Sequence, residues 1–160
     1  MLRVFIDREG GGHRDLFLKI DVMISHLAVA DSYYLYDFLE LTETDLQNID
    51  EDRQLSFAVT SLIEYWIVRI QALEKGQRTF LVFDLSDQYI GGVSLEKVKR
   101  GYNMKVVYAT ELQGGITKSK LDACIVQTGA VFRPSDEREW LIGEEALFNG
   151  LNWSLNELKR

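Results

Sequence analysis

At 160 residues, with 46% hydrophobic and 27% charged side chains, the chain is composed for one globular domain burying roughly 70% of its unfolded surface, and no run approaches the roughly 18 apolar residues of a membrane span. The single cysteine, Cys124, excludes an internal disulfide and reads as a small core residue; with an opening stretch unlike a secretory signal, it sets the expectation of a reducing cytoplasm. The net charge of −7 is unevenly laid out: Ile20 to Asp52 holds nine carboxylates and no Lys or Arg, so that stretch carries −9 and the remainder +2, which disfavours nucleic acid and steers basic partners.

Leu2 to Ile6 reads as a first strand. The loop REGGGHRD then turns the chain; its glycines could cradle a phosphate, but no Lys-Ser/Thr or helix start follows, so a turn is the expectation. Leu16 to His26 alternates strictly, which predicts a long strand with Leu16, Leu18, Ile20, Val22 and Ile24 on one face. After HLAVADS, the aromatic and branched segment Tyr33 to Leu41 predicts a third strand, with a short helix as the alternative. Tyr33, Tyr34 and Tyr36 beside Asp37 and Glu40 have the composition of a protein interface, although a strand with one wet face would look the same. Thr42 and Asp45 have capping-box spacing, and Asp50 is a candidate cap for the next helix, with Glu51 and Asp52 in its first turn.

Arg53 to Glu74 is the only segment long and apolar enough to be a central helix. Leu55, Val59, Leu62, Ile63, Trp66, Ile67, Ile70 and Leu73 recur at helical spacing and predict its core face. A second, narrower stripe, Phe57, Ser61, Tyr65, Val68 and Ala72, calls for either a covering layer within the same domain or a homodimer contact. Gly76 is expected to end this helix as its C′ residue. Thr79 to Leu85 then reads as a strand buried on both faces, Ser86 to Gln88 as a turn, Tyr89 to Arg100 as a strand with a bulge or close backbone approach at Gly91-Gly92, and Tyr102 to Thr110 as its partner. The lysines of this meander fit protection of an edge strand better than nucleic-acid binding, because few aromatics interleave with them. Lys120 to Phe132 predicts a strand centred on ACIV. From Ser135 a helix carrying Trp140, Leu141, Leu147 and Phe148 should run to a stop at Asn149-Gly150, with a short terminal helix over Leu151 to Arg160. The expected fold is a single α+β domain over residues 1–160, a mainly antiparallel sheet of about five to seven strands packed on one long central helix, with C-terminal helices.

Catalytic constellations are scarce. The only histidines, His13 and His26, have no evident partner, and motifs for zinc chemistry, serine hydrolysis or a phosphate loop are missing. No metal or cofactor is expected. The turn FDLSDQYIGG puts Asp84 and Asp87 three residues apart near Tyr89 and the glycine pair; two such carboxylates can share a proton or hold a cation, while an aspartate beside a serine also serves simply to bond its own turn. This turn, with the basic hairpin from Arg100-Gly101-Tyr102 to Tyr108, resembles segments of small single-domain bacterial toxin-immunity proteins over about thirty residues. That resemblance implies a protein that blocks a basic toxin, often a nuclease, by covering its active site with an acidic surface. The leading expectation is therefore a non-enzymatic protein-binding domain that meets a basic partner through Tyr33, Tyr34, Tyr36, Asp37, Glu40, Glu43 and Asp45. The alternatives are a small carboxylate-based or metal-dependent hydrolase using Asp84 and Asp87, and a homodimeric assembly protein using the second helical stripe.

Overall fold

Alternating residues become a strand only where a neighbouring strand completes the hydrogen-bond ladder. In the computed structural model, which describes all 160 residues, β1 (Leu2–Ile6), β2 (Leu16–Ile20) and β3 (Ala28–Ala30) form a three-stranded antiparallel sheet in that order. Leu16, Leu18 and Ile20 enter the core as their spacing requires. The alternation beyond them is not strand: Ile20 pairs with Leu2, the Met23 N–H closes a turn onto the Ile20 carbonyl, and Val22 and Ile24 stand in solvent.

The aromatic segment takes the alternative form, a short helix and not a strand. Leu35, Phe38 and Leu39, three and four apart, are fully buried on one side of the short helix α1 (Leu35–Phe38), and Glu40 at φ 57° reverses the chain after it. α2 (Glu43–Leu46) opens with the expected capping box, Thr42 Oγ1 accepting from the Asp45 N–H and the Thr42 N–H donating to Asp45 Oδ2. Asp50 occupies the N-cap of α3 (Glu51–Gln71), but its side chain makes no capping bond.

On α3 the predicted face forms the core: Val59, Leu62, Ile63, Trp66 and Ile70 are completely buried. The second stripe is divided. Tyr65 packs edge-on against Phe38, whereas Phe57, Val68 and Ala72 face solvent. Arg69 donates to Thr79 Oγ1 and, through two N–H groups, to the Asp122 carboxylate at 2.8 and 3.1 Å, tying the helix to the sheet and to the helix that carries Asp122. The helix ends at Gln71, so Gly76 is not its C′ residue; it sits at φ 83° in the turn leading to the sheet, its N–H donating to the Lys97 carbonyl.

β4 (Arg78–Leu85), β5 (Ile90–Val98) and β6 (Gly101–Ala109) form the expected meander. β4 ends this sheet, and the Trp66 indole donates to its Val82 carbonyl at 3.0 Å. The pairing shifts between Val82 and Asp84, and a side chain on Gly92 would come within 2.0 Å of the Leu81 carbonyl oxygen, the close approach its glycine anticipates. β6 is not an edge, because β7 (Arg133–Pro134) and β8 (Trp140–Ile142) both pair with its far side; Lys105 reaches Glu139 at 3.2 Å rather than guarding an open strand.

Two further expectations give way near the C-terminus. The ACIV segment is α4 (Leu121–Thr128), ended by Gly129 in the left-handed region; Leu121, Cys124 and Ile125 recur at helical spacing, and a run this short has no strand partner to hold it extended. The two expected terminal helices are one, α5 (Glu144–Leu158), which begins after β8 and continues straight through Asn149-Gly150. Gly150 is there for contact and not for termination: a Cβ on it would lie 2.1 Å from the Leu2 carbonyl oxygen. One turn later Ser154 Oγ accepts from the Val4 N–H at 2.9 Å and donates to the Gly150 carbonyl, so α5 covers the open side of β1 and satisfies its backbone. The result is an α+β fold with two antiparallel sheets of three and five strands, whose buried apolar side chains join those of α3 and α5 in one cluster. No helix is long and apolar enough to cross a membrane.

Candidate functional site

The turn after β4 is held by its serine. Ser86 Oγ accepts from the backbone N–H groups of Gln88 and Tyr89, which releases the Asp87 carboxylate from the turn-bonding role its position suggests. Asp87 instead accepts from the Tyr34 hydroxyl, 53 positions away in sequence, and this bond holds that hydroxyl above its ordinary pKa. The tyrosine-bearing segment and the FDLSDQYIGG turn, two separate candidates in the sequence, thereby share one surface.

The strip continues on both sides. Tyr33, 64% exposed, meets Tyr34 edge-on at 4.9 Å and lies parallel to the His13 ring at 6.2 Å, while His13 Nδ1 lies 3.4 Å from Asp31. His13 therefore has partners that the sequence does not reveal. His26 is exposed and packs on Phe17, so it does not end an inward strand face. Beneath the strip, Asp15 is 1% exposed and accepts from Gly12 N–H, Ser32 N–H and Ser32 Oγ, which pins the glycine loop against the start of α1.

On the other side, Asp84, Gly91 and Tyr108 are lateral neighbours on β4, β5 and β6. Together with Tyr89 they form one packed wall: a Cβ on Gly91 would lie 3.3 Å from the Asp84 Cβ and 3.6 Å from the Tyr89 Cε2, and the Tyr89 hydroxyl donates to Asp84 Oδ2 at 2.8 Å. Leu27, Ala28 and Val29 face it across a cleft of about 380 Å³. Burial first, then the neighbouring Asp84, pushes Tyr89 up to about 12, so its hydroxyl remains a donor.

Asp84 itself is pushed above the ordinary carboxylate range, chiefly by burial, with the Tyr89 hydrogen bond opposing the rise and the charge of Asp31 adding to it. The folded chain thus keeps a proton on Asp84 at pH values where the unfolded chain has lost it, and stability falls as pH rises through that interval. Asp84→Asn is accordingly expected to raise the melting temperature by a few degrees at pH 7 and to leave it unchanged near pH 3. Melting curves at the two pH values check this; an equal effect at both would assign the change to packing.

The remaining sequence candidates separate into two groups. Asp37 and Glu43 are exposed, while Tyr36 is half-buried and its hydroxyl is raised by that burial. Glu40 and Asp45 are used by the fold: Glu40 accepts from the Ser119 N–H and hydroxyl, and Asp45, held below its ordinary range by the Thr42 bonds, completes the capping box. Asp31 and Tyr108 join the surface although the sequence gives no reason to group them with it, whereas Tyr89 enters from the turn that the sequence singles out. No set of three or more His, Cys, Asp or Glu side chains is placed to hold a metal ion, and Asp84 and Asp87 are bonded to different tyrosines. Set against known protein families, curated proteins and solved structures, the chain matches none of them.

Proposed function

We propose that this tyrosine and carboxylate surface is a docking site for a basic protein, and that the chain acts by binding and not by catalysis. The observation that carries the reading is the Tyr34 to Asp87 hydrogen bond, which joins two distant stretches into one surface. Asp37, Glu43 and Asp87 make no ion pair with any side chain of the protein, so their charge is available to a partner. Tyrosines that present a ring and a hydroxyl together supply contact area with few rotamers to freeze, as interfaces favour. A basic toxin, neutralised by occlusion, is the kind of partner that the resemblance to immunity proteins suggests.

The variant for testing this is the triple substitution Asp37→Asn, Glu43→Gln, Asp87→Asn, which spares Glu40 and Asp45 because those two hold turns. With the partner captured from the native host, identified by mass spectrometry and purified, association is expected to be about tenfold slower for the triple variant at low salt, with the gap closing at high salt. Stopped-flow mixing across a salt series measures it. Rates indifferent to both salt and substitution would end the proposal.

A further inference from the structure

The cleft that Asp84, Tyr89 and Tyr108 line, a notch of about 380 Å³ faced by Leu27 to Val29, has a chemistry of its own within the proposed docking surface, on which this inference rests. Tyr89 and Tyr108, an edge-to-face pair with ring centroids 6.2 Å apart at 75°, stand on one side of it, and its polar end is the Asp84 carboxylate. Asp84 Oδ2 is engaged by the Tyr89 hydroxyl, whereas Oδ1 accepts no hydrogen bond from the protein. Leu27, Val29 and Val106 complete an apolar rim. Arg133, paired with Tyr108 across β6 and β7, is already bonded to Glu111 through two N–H groups at 2.8 and 3.2 Å. A half-buried carboxylate at the end of a pair of tyrosine rings, with the charge of Asp31 in range and no cation paired with it, is an electrostatic vacancy for positive charge.

We propose that this notch receives the guanidinium of an arginine side chain presented by the basic partner. A planar guanidinium can lie flat on one ring and meet the other edge-on while its N–H groups turn toward Asp84 Oδ1, and it sheds water more readily than an ammonium, as a rim of leucine and valine requires. Arginine is also among the residues that anchor protein interfaces when seated in a partly desolvated pocket.

The test has two arms. In the first, N-acetyl-arginine methylamide is titrated into the full chain carrying ring-labelled tyrosines, with N-acetyl-citrulline methylamide and N-acetyl-lysine methylamide as controls. The expected result is that the Tyr89 and Tyr108 ring resonances move with the arginine probe, about tenfold more weakly with citrulline and with Asp84→Asn, and less with lysine. Still rings, an equal response to citrulline, or a stronger one to lysine would overturn the assignment. In the second arm, partner affinity is compared for wild type and Asp84→Asn, the latter checked by its melting curve to be folded. An undiminished affinity that remains salt-sensitive would remove the arginine notch and leave the docking reading standing. A notch that binds the probe in a chain that takes no basic partner would do the reverse.

Discussion

Trp66→Ala is expected to destabilise the protein by about 4 kcal/mol, the middle of the range for deleting a buried aromatic side chain, and to lower the melting temperature by roughly 8–16 °C in a chain of this size. Two losses combine. Trp66 is completely buried and packs on Phe83, so alanine leaves a cavity where α3 meets the large sheet, and the rigid strand backbone on one side limits collapse. The indole N–H also satisfies the Val82 carbonyl on the strand that ends the sheet, and without it that acceptor is left buried and unpaired. Trp66→Phe separates the two, because it keeps most of the ring and removes the donor; its expected cost is about 1–3 kcal/mol. Urea denaturation of both variants measures the difference. A loss below about 1 kcal/mol for alanine would mean that α3 is not held to the sheet through this residue.

For Gly150→Ala the sign of the effect is the test. In an ordinary helix interior, alanine in place of glycine stabilises by about 1 kcal/mol. Here the new Cβ would sit 2.1 Å from the Leu2 carbonyl oxygen and 2.9 Å from the Leu2 nitrogen, and these are backbone atoms that no rotamer change can move aside. α5 must shift away from β1, stretching the Val4 to Ser154 hydrogen bond and loosening Leu147 and Leu151 from the core. The expected net effect is a loss of about 2–3 kcal/mol, overpacking outweighing the helix propensity gain. Gly150→Val should cost more, since it adds bulk without the full propensity gain of alanine. Thermal unfolding of the two variants decides the matter, and a more stable Gly150→Ala would show that the helix does not need to touch the strand.

These two residues mark the boundary of what could be read in advance. Trp66 is legible because α3 is long: over 21 residues a helical period repeats often enough to single out one face. The capping box at Thr42 and Asp45, the β1 and β2 hairpin and the meander from Arg78 to Ala109 are legible for a similar reason, since each is specified by neighbours within a few positions. Gly150 is not. After an asparagine, a glycine resembles a helix stop, and only the arrival of Leu2, far away in sequence, makes it a contact residue.

Short apolar runs misled in the same way. Tyr33 to Leu41 and Lys120 to Phe132 hold aromatic and β-branched residues that suit strands, but fewer than three helical turns cannot display a period, and the state is decided by whether a strand edge is available to pair with them. Neither segment pairs with a strand, and each contains a helix. The alternation past Ile20 failed for the complementary reason: the pattern continued, and the ladder ran out.

The residues of the candidate surface were visible as types and not as a site. Composition and charge layout by themselves determined that Ile20 to Asp52 is acidic, that its tyrosines are unusual company for those acids, and that Asp84 and Asp87 stand at a turn beside a glycine pair. Only the tertiary structure decided which carboxylates belong to the scaffold, as Glu40 and Asp45 do, and that Tyr34 meets Asp87 across 53 residues while Leu27 to Val29 face Asp84, Tyr89 and Tyr108 across a cleft. The physical reason is one of range: local spacing governs helix faces, caps and turns, whereas a hydrogen bond between distant side chains depends on how the sheets and helices pack, to which every buried residue contributes.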